Sequence, residues 1–158
     1  KEGKTIQISD LKGKPTLVTF YTSWNPNISV MTVPVLKEVV NFYKSKMNFA
    51  YINLDDTKDQ FAKTSAAMFK GFPGENYWVE GGINAEPVKK FGIYGFKTPS
   101  YIILDKDGNV ASRPFFNLGD PELVEALNKA TGLQAPQGQS QLPPQMMPPV
   151  QEAPAAGK

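Results

Sequence analysis

The residues Leu17-Val18-Thr19-Phe20-Tyr21 are apolar, aromatic or β-branched without interruption, and they run straight into a polar turn, Thr22-Ser23-Trp24-Asn25-Pro26. A strand with no polar face has to be covered on both sides, as when helices pack on either face of a sheet. Beyond the turn, Val30, Val33, Leu36, Val39, Val40 and Tyr43 recur at three- and four-residue steps. That spacing predicts a helix over about Pro26 to Lys46, with those six side chains facing the core. Asn25 is a favoured N-cap, and Pro26 is pre-set for the first helical position, where its missing N–H would have had no partner. Pro34 removes a hydrogen bond inside the helix and is expected to kink it. A buried strand feeding a helix restricts the chain to α/β architecture and marks the junction as the place for its functional groups.

The remaining elements follow the same grammar. Thr5-Ile6-Gln7-Ile8-Ser9 alternates as a short strand, and Asp10 to Pro15 turns the chain. Phe49 to Leu54 reads as a second central strand ending at Asp55-Asp56. Thr57 to Lys70 reads as a helix with Phe61, Ala62, Ser65, Met68 and Phe69 on one side, stopped by Gly71-Phe72-Pro73-Gly74. A brief extended segment at Tyr77-Trp78-Val79 and a short helix over Glu86 to Phe91 complete a βα-type insertion. Thr98 to Asp105, the Asp107-Gly108 pair and Val110-Ala111-Ser112 predict a hairpin on a primed two-residue turn. Asp120-Pro121-Glu122 opens a last helix, with Leu123, Leu127 and Ala130 inward and Gly132 closing it.

Composition removes whole classes of chemistry. The chain has no cysteine and no histidine, so disulfides, thiolate nucleophiles, Cys/His zinc sites and imidazole acid–base catalysis are excluded. Net charge is only +2, and Arg113 is the sole arginine among seventeen basic residues, which argues against a nucleic-acid partner. No apolar run approaches the ~18 residues needed to span a bilayer. From Gln134 to Lys158 there is no aromatic residue, and Pro, Gln, Ala and Gly dominate. Such a segment cannot bury enough apolar surface to offset the entropy of ordering, so a domain over 1–133 and a disordered Pro/Gln-rich tail over 134–158 are expected. Pro143-Pro144, Pro148-Pro149 and Pro154 favour extended polyproline-II segments there, and Leu142, Met146, Met147 and Val150 are the tail's sizeable apolar side chains.

Trp24-Asn25-Pro26-Asn27-Ile28, with Pro34 later in the helix, resembles the reactive turn of the thioredoxin-like superfamily. It is most similar to the TlpA- and ResA-like (redoxin) thiol-disulfide oxidoreductases, which place Trp-Cys-x-x-Cys at this point. Asp10-Leu11-Lys12-Gly13-Lys14 resembles the entry to that domain. Gly95-Phe96-Lys97-Thr98-Pro99, followed by an aliphatic strand and Asp105-Lys106-Asp107-Gly108, resembles its cis-proline loop and terminal hairpin. The resemblance covers about Thr5 to Leu133. It implies a three-layer thioredoxin-like fold: a mixed central sheet of four or five strands, flanked by helices, with a central insertion. Pro34 comes six residues after Ile28, one more than the family spacing.

In such proteins the first cysteine is activated by unpaired N–H groups and the dipole at a helix N-terminus. Here Asn25 and Ile28 replace the two cysteines, and Met31 and Thr32 fill the positions of the acid that often follows. A carboxamide cannot attack a sulfur, so the resemblance implies a redox-inactive member with no catalytic residue, metal or cofactor. What it leaves is a groove of Trp24, Asn25, Pro26, Thr98 and Pro99, in which the residue before the proline offers its backbone to an extended peptide or protein partner. Asn25-Pro26 also reads simply as a helix cap, and Trp24 as a packing residue. An alternative is a non-thiol enzyme built on Ser23, Thr22 or Asp55-Asp56, although paired acids at a strand end usually start a solvated loop. A third reading is a structural part of a larger envelope assembly with the tail as spacer. The resemblance implies export to the periplasm or cell envelope, with any signal lying outside this sequence.

Overall fold

The computed structural model describes residues 10–93 and 98–134. The strand expected at Thr5 to Ser9, the segment Gly95 to Lys97 and the tail beyond Gln134 lie outside the described residues. Four strands, β1 (Thr16–Tyr21), β2 (Asn48–Asn53), β3 (Glu75–Trp78) and β4 (Ser100–Leu104), form one mixed sheet in the order β3-β2-β1-β4. β2 runs parallel to β1 and β3, and β4 runs antiparallel to β1, pairing Phe20 with Ser100.

β1 is buried along its whole length. Leu17 and Tyr21 pack on one face beneath α1 (Val33–Tyr43) and α4 (Pro121–Thr131), with Leu36, Val40, Leu123 and Leu127. Val18 and Phe20 pack on the other face with Val88 of α3 (Glu86–Lys90) and Ile93. The two-sided burial is what an uninterrupted apolar strand requires. α2 (Lys58–Met68) carries a capping box, in which Thr57 and Gln60 each bond the other's backbone N–H, and it delivers Phe69 onto the rings of Tyr21 and Tyr51. Ala62 of this helix is exposed, contrary to the predicted stripe.

The first helix departs from its expected phase in an instructive way. It starts at Pro26, and residues Ile28–Thr32 form a π-helical turn in which the Val33 N–H bonds the Ile28 carbonyl. A π-turn holds one residue more than the α-helix it interrupts. Ile28 and Val35, seven residues apart, are both buried, and Val30, placed in the core by its three-residue step to Val33, is 60% exposed.

The hairpin after β4 is also corrected. Gly108 has φ +85° but Asp107 keeps a negative φ, so the primed turn does not form. Gly108 N–H bonds the Asp105 carbonyl, and the Asp105 side chain accepts from the N–H groups of Asp107 and Asn109 at 2.9 Å each. The returning chain pairs only at Leu104–Val110 and Tyr101–Phe115. Between those bridges the Ile103 N–H donates to Ser112 Oγ, a side chain standing in for a ladder carbonyl. α4 begins and ends as predicted, with the Asp120 side chain accepting from the Glu122 N–H and Gly132 at φ +71°.

Candidate functional site

The ends of β1 and β2 and the start of β4 converge at one edge of the sheet. β1 pairs Tyr21 with Asn53 and Phe20 with Ser100, so Thr22 and Ser23 emerge between Asp55 on one side and Thr98-Pro99 on the other. The Thr98–Pro99 peptide is cis.

Asn25 is the centre of this edge, and both ends of its carboxamide are used. Oδ1 accepts from the Asn27 N–H at 3.1 Å, capping the helix, while Nδ2 donates to the Thr98 carbonyl at 3.1 Å. The hydroxyls of Thr22 and Thr98 lie 3.4 Å apart beneath this bond, both residues buried. Helix start and Pro99 loop, 73 residues apart in sequence, are thus joined by one side chain. Trp24 is 58% exposed, Pro26 is exposed and Pro99 half-buried. Ile28 is 1% exposed and sits in the core under α1, where a branched hydrocarbon is at home.

Asp55 and Asp56 are separated rather than paired. Asp56 is exposed, but Asp55 is fully buried, against the solvated-loop reading. Its Oδ1 accepts from the Ser23 N–H at 2.7 Å and its Oδ2 from Asn53 Nδ2 at 2.9 Å. Its N–H donates to Asn53 Oδ1 at 2.9 Å, and its carbonyl accepts from Trp78 Nε1 at 2.9 Å. Gly82 packs so closely here, at φ +54°, that a Cβ would lie 2.8 Å from the Leu54 carbonyl oxygen. Asp55 is a structural knot: its carboxylate ties the ends of β1 and β2 and its backbone carbonyl holds Trp78 of β3, and sequence reasoning missed it. Burial lifts the Tyr21 phenol well above the usual range, with the nearby Asn53 amide opposing the rise and the Asp55 charge adding to it.

With no thiol, thiolate chemistry is unavailable at this helix start. What the arrangement offers is an exposed indole, the exposed face of Pro26 and a braced loop. Among the described residues no three acidic side chains gather as cation ligands, and no helix is long and apolar enough to cross a membrane.

A thioredoxin-like family profile matches residues 13–110, more than half of the chain. The chain belongs to the thioredoxin-like family. Its relatives include the chloroplast thioredoxin-like protein HCF164 of Arabidopsis thaliana, 28% identical over 73% of this chain but only 34% of that protein. The rice counterpart is 29% identical over 61% of this chain and 26% of its own length. The chain therefore spans about a third or less of these relatives. Among solved structures, a candidate thiol-disulfide oxidoreductase of Bacteroides vulgatus is 26% identical, with a TM-score of 0.62 and 82% of each chain covered. The C-terminal domain of another, from Bacteroides thetaiotaomicron, is 27% identical with a TM-score of 0.61, covering 77% of this chain and 79% of that one. The thioredoxin-like α/β fold expected from the turn at Trp24 is therefore shown, in a chain without cysteine.

Proposed function

We propose that this thioredoxin-like domain is redox-inactive and binds an extended peptide or protein segment across Trp24, Asn25, Pro26, Thr98 and Pro99. The observation that carries the reading is the bond from Asn25 Nδ2 to the Thr98 carbonyl. A carboxamide occupies the post of the attacking thiol and braces the loop, so the edge keeps its shape without sulfur. An exposed indole beside such an edge gives apolar contact at low cost in side-chain entropy. Residues 1–133 act as the domain, and the Pro/Gln-rich residues 134–158 as an appended tail. Export to the periplasm or cell envelope is the setting this reading favours, by likeness to thiol-disulfide oxidoreductases. A non-thiol enzyme using Asp55 is disfavoured by that group's engagement with Ser23 and Asn53.

The test is an NMR titration of the ¹⁵N-labelled chain with a panel of extended peptides. The reading expects shifts clustered on Trp24, Asn25, Thr98 and their neighbours. Shifts confined to the opposite end of the sheet, or none with any peptide, would contradict it.

A further inference from the structure

The Thr98 carbonyl already accepts a hydrogen bond from Asn25, so a ligand on this edge does not have to supply the N–H groups that strand pairing normally uses. The segment best suited to such an edge is rich in proline, with few N–H donors and an extended shape that costs little entropy to fix. The surface beside the edge fits that chemistry: Trp24, Val30 and Met31 are 58%, 60% and 46% exposed. All three fall within eight consecutive residues at the start of the helix, and Val30 and Met31 lie exposed on the π-helical turn.

The chain itself carries such a segment. Met146-Met147 stands between Pro143-Pro144 and Pro148-Pro149, two flexible, polarizable side chains framed by proline pairs. Its point of departure is known, because Tyr43 Oη donates to Asn128 Oδ1 at 2.7 Å and fixes the end of α4 beside the far end of α1. From Asn25 to Tyr43 the helical rise amounts to roughly 27 Å. The twelve residues from Gln134 to Gln145, at about 3.1 Å per step, reach about 34 Å as polyproline II, enough to run back along α1 to Trp24.

We propose that the tail segment Leu142 to Val150 docks on Trp24, Val30 and Met31 of its own chain, covering the face with a tethered proline-rich ligand. This rests on the reading that the face takes an extended segment, and it names the occupant. A tether of this length sets an effective concentration on the order of millimolar, so even a contact with a dissociation constant of about a millimolar is roughly half formed. An outside partner must then displace the tail.

The absence of cysteine makes the test clean. Gln145→Cys in the full chain gives a single thiol for a nitroxide label, and paramagnetic broadening of amide signals is read by NMR. The proposal expects broadening centred on Trp24, Val30 and Met31, unchanged on dilution, and lost when Met146→Ser and Met147→Ser are added to the labelled chain. Broadening spread evenly over the surface, centred on another exposed apolar side chain such as Phe116, or fading on dilution as for the tail of a second copy, would overturn it. Titrating the peptide panel into an unlabelled Met146→Ser, Met147→Ser chain separates the two ideas. Shifts at Trp24, Asn25 and Thr98 would preserve the binding face even if the tail proves not to be its occupant, and their absence would remove the face itself.

Discussion

Two helices of this protein open on nearly the same words, Asn25-Pro26 and Asp120-Pro121, yet the two starts do different jobs. At α4, the Asp120 carboxylate accepts from the Glu122 N–H at 2.9 Å and from Arg113 Nη2 at 3.3 Å, so its side chain only accepts, and from residues close in sequence. The Arg113 guanidinium also reaches Glu122 at 2.8 Å and lies 4.2 Å from the Phe115 ring, closing a clamp on the surface. At the first helix, Asn25 caps with its oxygen and still has an N–H to donate, which it spends on a carbonyl 73 residues away. A carboxylate only accepts, whereas a carboxamide both accepts and donates. One helix start is therefore a local cap, while the other is a long-range brace between the helix start and the Pro99 loop.

The largest effect should come from the knot behind that brace. Asp55→Ala strands the Ser23 N–H and the Asn53 amide in the interior, and we expect a loss of about 3 kcal/mol or more in urea denaturation. A loss no greater than at Asp120 would erase the distinction between the two regions. The opposite ends of the same two helices, joined by Tyr43 and Asn128, respond to pH. Burial pushes the Tyr43 phenol up to about 12 from 10.0, so the unfolded chain gives up this proton first. Stability is then fully present below pH 10 and falls by at most about 1.4 kcal/mol per pH unit for this phenol until the folded group ionises. Tyr51 and Tyr101, raised by burial as well, steepen the fall. A melting temperature flat between pH 10 and 12 would contradict the burial of these phenols.

The two caps then separate by substitution. Asn25→Ala removes both a cap and a brace and should cost about 2 kcal/mol, against about 1 for Asp120→Ala. Asn25→Asp keeps the cap but loses the donor, at about 1 kcal/mol, whereas Asp120→Asn should stay within about 0.5 kcal/mol of the parent. Equal costs for these conservative exchanges would mean that the bond to Thr98 carries no stability. The smallest effect is ionic: at about 1 M salt, where the screening length is about 3 Å, the melting-temperature deficit of Asp120→Ala should shrink, and that of Asn25→Ala should not.

Much of the scaffold is legible in the sequence because local and long-range preferences agree. Leu17 to Tyr21 have no polar face to expose, and Asp120, Pro121 and Gly132 mark both ends of α4. The reading fails where a short local pattern points away from the folded geometry. Val30 keeps helical spacing with Val33, and nothing local shows that a π-turn lies between Ile28 and Thr32. Asp107-Gly108 carries a primed-turn signature, but the Asp105 side chain bonds two backbone N–H groups and favours a different loop. Asp55 beside Asp56 looks solvated; its burial depends on Ser23, from another strand's end, and on Asn53 two residues back. Trp24, Asn25, Pro26, Thr98 and Pro99 stood out through resemblance to a known turn and loop. The bond that joins Asn25 to Thr98 belongs to the folded geometry alone.

Whether the scaffold has exchanged sulfur for a carboxamide brace is tested most directly by one assay. Reduction of a protein disulfide by dithiothreitol is followed with the parent chain and with its folded Asn25→Cys, Ile28→Cys double variant. The account predicts that the parent matches the buffer blank and that the double variant, with a thiol returned to the helix start, exceeds it. A parent above the blank, or a folded double variant no faster than the parent, would contradict it.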